Sequence, residues 1–161
     1  MCSVRFRDIE SFIVACIGEC TQVVGCVAWL RSKAILKALE RVPCSIAITN
    51  DTGLPDYSFL TPFLSCQPTA VVKVGLARGR FRGLQHNKFV VGLKGGRPAF
   101  VVTGSFNYTE QASKHNLENV VRIDDARLAD AYMREAVAIM AIAKPCRPPR
   151  CKALPRKRRR V

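Results

Sequence analysis

Residues 85–109 read QHNKFVVGLKGGRPAFVVTGSFNYT, and this stretch decides the fold. Two apolar runs, Lys88 to Leu93 and Ala99 to Thr103, flank Lys94-Gly95-Gly96-Arg97-Pro98. Apolar runs of strand length on either side of a Gly-rich turn predict a β-hairpin. A hairpin returns the end of its second strand to the start of its first. Gly104-Ser105-Phe106-Asn107 is therefore expected beside His86-Asn87-Lys88. Side chains two apart on a strand share a face. His86 and Lys88 then point one way, and Ser105 and Asn107 can join them.

Upstream of the hairpin, helical and extended patterns alternate. Asp8 is expected to cap a helix through Glu10, Phe12, Ile13 and Cys16. The apolar, β-branched run Gln22 to Leu30 predicts a buried strand, with Gly18 near the break between the two. Ser32 caps a second helix in which Ile35, Leu36, Leu39 and Val42 keep helical spacing, and Pro43 ends it. Cys44 to Thr49 is a short strand followed by a turn at Asn50-Asp51-Thr52-Gly53. Residues 51–68 read as a loop and Val71 to Leu76 as another strand. Downstream, Leu117 to Ile123 predicts a strand, and Asp125 to Ala143 a helix with Leu128, Tyr132, Ala136, Ile139 and Met140 on one face. Ser113-Lys114-His115-Asn116 reads as a polar loop with His115 exposed. The order implies an α/β chain in the α+β sense, a mixed sheet flanked by helices.

The length of 161 residues suits one domain, and a hydrophobic share of 48% supplies its core. The net charge of +14 is unevenly distributed. Residues 144–161 hold nine Lys or Arg and no acid, leaving +5 on residues 1–143. The division predicted is one folded domain over 1–143 and a basic, proline-containing, disordered tail over 144–161. Arg156, Lys157, Arg158, Arg159 and Arg160 resemble a nuclear localisation signal, so a nuclear import receptor is an expected partner and the nucleus is favoured over the cytoplasm. A nonspecific tether to nucleic acid or membrane is the simpler reading of that tail. The basic excess favours a polyanionic partner, DNA or RNA.

The start MCSVRFRDIE is charged and mixed, unlike a signal peptide. Its eight cysteines are accordingly read as reduced thiols. Cys16-x3-Cys20-x5-Cys26 and Cys146-x4-Cys151 do not have the spacing of a common zinc finger, so no metal is expected. Phe12 to Leu30 is long enough to cross a membrane but holds Glu19 at its middle, which disfavours that reading.

The chemistry converges on the hairpin. An imidazole, an ammonium, a hydroxyl and an amide suit a phosphate: Lys88 brings charge, while Ser105 and Asn107 bring neutral donors. A neutral imidazole is a competent nucleophile near neutral pH. Glu118, at the start of the next strand, is the candidate to orient His86. Arg78, Arg80 and Arg82 immediately precede the motif and are candidates for binding a nucleic-acid backbone.

His86-x-Lys88 followed by Gly104-Ser105-x-Asn107 resembles the motif of the phospholipase D superfamily, and Glu118-Asn119 resembles the acidic position that follows it. The likeness spans about residues 8–143 and extends to the small, single-motif bacterial endonucleases of the family. It implies a phospholipase D-like single domain and a metal-independent phosphodiesterase without cofactors. Because each chain has one motif, it also implies a homodimer with two His86 side chains at the two-fold axis. One would form a phosphohistidine, and the other would act as acid and then base. The family's usual Asp, five residues after the Lys, is replaced by Leu93. A nuclease is the first reading. A phospholipase acting on anionic phospholipids needs an apolar docking surface. A non-catalytic nucleic-acid-binding module on the same fold is the reading that Leu93 suggests.

Overall fold

The computed structural model describes residues 1–49, 70–74, 84–142 and 144–145. The turn at Asn50 to Gly53, the loop at 51–68, Arg78, Arg80, Arg82 and the signal at Arg156, Lys157, Arg158, Arg159 and Arg160 lie outside the described residues.

Among the described residues the order is β1 (Cys2–Arg5), α1 (Ile9–Gly18), β2 (Gln22–Val27), α2 (Lys33–Leu39), β3 (Cys44–Thr49), β4 (Ala70–Val74), β5 (Lys88–Lys94), β6 (Arg97–Gly104), α3 (Glu110–His115), β7 (Val120–Ile123), α4 (Ala126–Ala141) and β8 (Lys144–Pro145). They form one mixed sheet in the order β1-β7-β6-β5-β2-β3-β4-β8. β2, β3 and β4 run parallel, and β5 turns antiparallel against β2.

The period of two divides the sheet between two cores. Val23, Val27, Ile46, Val90, Val102 and Val120 pack with Ile13, Ile17, Ile35 and Leu39 of α1 and α2. Val24, Cys26, Ala47, Phe89, Val91 and Val101 pack with Ala129 and Ala136 of α4. On that face the Phe89 and Tyr132 rings meet edge-on at 4.9 Å. Each fully buried side chain of this size contributes about 1.5–3 kcal/mol, so both layers are strongly held.

The hairpin is as expected, with its turn at Gly95 and Gly96. Their φ values of 58° and 77° suit the two-residue turn whose central positions are left-handed. The register slips between Gly92 and Leu93. Leu93 is buried in the α4-side core, and its carbonyl accepts from Thr21 N at 2.8 Å and Thr21 Oγ1 at 3.1 Å. A charged Asp in that apolar setting would lose hydration without a partner charge. Leu93 is thus a packing residue of this chain.

Several local expectations need correction. Asp8 stands at the helix start but is left-handed, φ 52°, and its side chain makes no cap bond. β2 ends at Val27, because Ala28 N bonds to Asn87 O and Leu30 makes an isolated bridge to Tyr108. Ser32 does cap α2, accepting from Ile35 N at 3.1 Å, but that helix stops at Leu39. Residues 110–115 are helical rather than loop, since Thr109 Oγ1 accepts from Ala112 N at 3.1 Å. β1 was not foreseen: it is an exposed edge strand whose residues show no apolar alternation. The sheet also extends into the segment read as tail, where Lys144 and Pro145 pair with Lys73 and Val72.

Phe12 to Leu30 divides into α1, a turn and β2. Glu19 in that turn binds Arg122 Nη1 at 2.5 Å and Lys94 Nζ at 3.1 Å. Among the described residues no helix is long and apolar enough to cross a membrane. Burial pushes the Cys20 thiol up to about 11 and that of Cys26 up to about 12, so both stay protonated near neutral pH.

Candidate active site

The sheet register gathers one end of four neighbouring strands. Val27 of β2 pairs with Lys88 of β5, Phe89 pairs with Thr103 of β6, and Gly104 pairs with Val120 of β7. The residues beyond these pairs are Trp29, His86, Ser105 and Glu118. They sit where the parallel strands β2 and β3 present their carboxyl ends, the usual place for a ligand in open α/β sheets.

His86 is exposed and Lys88 half-buried. Lys88 Nζ donates to the main-chain carbonyl of His86 at 2.8 Å and lies 3.2 Å from Nδ1 and 3.3 Å from Nε2 of the ring. Burial pushes the Lys88 ammonium below the ordinary lysine value, and the Glu118 charge opposes this. The preceding residue fixes the segment. Gln85 is buried, its Nε2 donates to Ala47 O at 3.2 Å, and its Oε1 accepts from Asn87 N at 2.5 Å. The His86 main chain is thereby tied to β3.

The second cluster grows from the β6–β7 pair. Gly104 permits it: a Cβ there would lie 2.2 Å from the Asn119 carbonyl oxygen. That carbonyl accepts from Ser105 N at 3.1 Å, while Ser105 Oγ accepts from Asn119 N at 3.1 Å. Ser105 Oγ also donates to Glu118 Oε2, and Asn116 Nδ2 donates to Glu118 Oε1 at 3.0 Å. Glu118 was expected to orient His86. Within one chain its carboxylate is instead held by Ser105 and Asn116, because Ser105 and Glu118 leave the same strand pair side by side.

Asn107 is half-buried, and its Oδ1 has no hydrogen-bond partner among the described residues. An unpaired buried polar atom is costly and marks a place where a bound group can restore the bond. Half a turn of the amide would offer Nδ2 there as a donor. His115 ends α3, exposed, in a cleft shared with Phe6, Arg7, Glu10, Leu117 and Glu118.

Sequence reasoning missed Trp29. Its ring meets the His86 ring at 5.2 Å with an interplanar angle of 84°, and Lys88 Nζ lies 5.9 Å from its centre. Tyr108 secures this approach, since its carbonyl accepts from Arg31 N at 2.7 Å and Ser32 N at 2.8 Å. The available signal was its place, directly past the carboxyl end of an apolar strand. Gln85 was also missed, and its neighbour His86 was the only hint.

Known proteins resemble this chain in sequence and fold. The family model described as "Cardiolipin synthase, PLD-like domain" matches residues 20–140. A phospholipase D of Rickettsia typhi is 44% identical over 137 residues, covering 71% of this chain and 62% of that protein. A mitochondrial cardiolipin hydrolase of Xenopus laevis is 29% identical over 126 residues, 76% of this chain and 56% of that one. The chain thus spans less than two thirds of these curated relatives. Among solved structures, NucT from Helicobacter pylori has a TM-score of 0.75 at 16% identity, covering 91% of this chain and 99% of that one. Nuc from Salmonella typhimurium, a phospholipase D family member, has a TM-score of 0.71 at 19% identity, with 91% and 99% covered. Similarity at that identity shows the fold, and the family match spans β2 to β7, the hairpin and the His86–Lys88 and Ser105–Glu118 clusters: the chain belongs to the phospholipase D-like family.

Proposed function

We propose that this chain hydrolyses phosphodiester bonds of nucleic acid, with His86 as covalent nucleophile at a site completed by a second copy of the chain. The observation that carries it is the contact of Lys88 Nζ with both His86 ring nitrogens at an exposed end of the sheet. An ammonium beside a nucleophilic imidazole draws in the phosphate and offsets charge on its non-bridging oxygens. Asn107 adds an amide donor to the same oxygens.

In the first step a His86 ring nitrogen attacks phosphorus. The P–N bond forms as the P–O bond to the leaving group breaks, and the partner subunit's His86 gives that oxygen its proton. In the second step the same partner imidazole takes a proton from water. The water oxygen bonds to phosphorus, the P–N bond breaks, and His86 is restored. Glu118 keeps a carboxylate at the rim, where its field reaches Lys88.

Nucleic acid is favoured by charge. The chain carries +14, with Arg78, Arg80 and Arg82 just before the motif and nine Lys or Arg in residues 144–161. Such groups bind a phosphate backbone without reading sequence. A second reading, hydrolysis of an anionic phospholipid, is supported by the names of the relatives and by exposed Phe6 and Leu117, which line one cleft with Glu118.

The test incubates the protein with single-stranded and duplex DNA and RNA in EDTA, beside His86→Ala. Cleavage is expected from the wild type and is expected to fall by at least about 10³-fold in the variant. Headgroup release from anionic vesicles without strand cleavage would replace this reading by the second. Strand binding with no cleavage of either substrate would overturn both.

A further inference from the structure

Beyond Trp29 lies a cavity of about 390 Å³ lined by Trp29, Arg31, Thr109, Glu110 and Gln111. Trp29 separates it from the catalytic cluster, since the indole that lines the cavity also meets the His86 ring at 5.2 Å. A substrate whose phosphate sits on His86 and Lys88 can therefore lay one of its flanking groups against this wall. We propose that Trp29 and this cavity form a base subsite, taking the nucleobase next to the scissile phosphate by stacking on the indole.

Three observations support a base. First, the wall is a wide aromatic surface: its backbone is held between the Ala28–Asn87 bond and the Leu30–Tyr108 bridge, and its ring packs edge-on against His86, which lowers the ordering cost at binding. Second, the cavity carries one basic and one acidic residue, Arg31 and Glu110, with Glu110 paired to Lys114 at 3.6 Å. Arg31 and Glu110 together offer a donor and an acceptor to the edge of a planar group. Third, the surface that the lining presents is mostly apolar, which suits the flat face of a base; an acyl chain could use the same surface, and the vesicle titration below separates the two. Stacking tolerates any base, so the subsite favours bases in general over their absence rather than one base over another. Trp29 would make contact with substrate, where the sequence alone gave no stacking platform.

The inference rests on the nuclease reading, and the experiment separates the two. Trp29 is the sole tryptophan, so its fluorescence reports the subsite directly in the unaltered protein. A thymidine 12-mer and a 12-mer of abasic tetrahydrofuran phosphates are each titrated by stopped flow in EDTA, and cleavage of both is followed. The base-bearing strand is expected to quench the indole, and the abasic strand is expected to leave it nearly unchanged. Trp29→Ala is expected to raise KM for the base-bearing strand roughly tenfold more than for the abasic strand, so that the preference between the two is lost. Trp29→Phe is expected to retain most of the preference.

Equal loss on both strands, entering through kcat, would mean that Trp29 only holds His86, and the subsite would be rejected. Quenching by phosphatidylglycerol vesicles and by neither strand would reject it in favour of a lipid contact. Quenching by bases without cleavage would keep the subsite and sink the nuclease reading. Cleavage without quenching or base preference would do the reverse. The wild-type titration decides the matter even where Trp29→Ala fails to fold.

Discussion

At the scale of the residue, Lys88 carries the positive charge of the proposed site. Burial lowers its pKa and Glu118 raises it. Removing the Glu118 charge leaves burial unopposed, so Glu118→Gln is expected to move the Lys88 pKa further down. In NMR of the Lys88 side chain the titration would shift to lower pH, and the alkaline limb of the activity profile would follow it. An unmoved or upward titration would contradict the field assigned to Glu118. Loss of the ammonium in Lys88→Met is expected to lower kcat/KM by about 10²–10³-fold, measured on a single-stranded oligonucleotide. The pairing of His86 with Lys88 was legible because a strand has a fixed period of two. The role of Glu118 was only half legible: sequence places it at the rim, but strand neighbours decide that Ser105 meets it. Trp29 was legible only as a residue at a strand end, since its approach to His86 depends on β2 lying beside β5, a choice that no local pattern encodes.

At the scale of the element, the β6–β7 pair and the far corner of the sheet carry separate tests. Gly104→Ala would force the Asn119 carbonyl away, because the added Cβ lies within 2.2 Å of it. The expected cost is about 1–3 kcal/mol in urea unfolding, with activity falling as Ser105 and Glu118 separate. At the other end, Glu19 joins the α1–β2 turn to β7 through Arg122 and to the hairpin through Lys94. The Arg122 hydrogen bond is the main reason its carboxyl falls to about 2, below the ordinary 4.5. A lowered carboxyl pKa adds stability that is present above the ordinary value and is lost as pH falls through the folded one. Acid unfolding between about pH 4.5 and about 2 should therefore be shallower in Glu19→Gln than in the wild type. The effect is modest because the Glu19 side chain is 42% exposed. The longer helices and central strands were legible from apolar periodicity. α3 and β1 were not: α3 buries only Ala112, and β1 is an exposed edge, so neither carries an apolar pattern.

At the scale of the whole molecule, the three layers place all the proposed chemistry at one end of the sheet, and one chain supplies one His86. The proposed mechanism needs two. Sedimentation is expected to give a dimer at working concentration, and specific activity should fall on dilution below the dimer's dissociation constant. Excess His86→Ala chains mixed with wild type and allowed to exchange should suppress activity beyond simple dilution, because each mixed dimer lacks half of the acid–nucleophile pair. A fully active monomer would end the two-chain scheme. The mixed sheet was readable from the order of elements, whereas the second chain enters only through the count of motifs.

The hairpin turn at Gly95 and Gly96 lies about 20 Å along β5 from Lys88, at the usual rise per residue. The register slip at Gly92 and Leu93 lies between the turn and the active end. Extra residues at the turn can therefore be absorbed before they disturb the pairing of Phe89 with Thr103. The molecule thus has a permissive end and a constrained end within a single hairpin. A peptide tag inserted between Gly95 and Gly96 is therefore expected to be carried with activity intact.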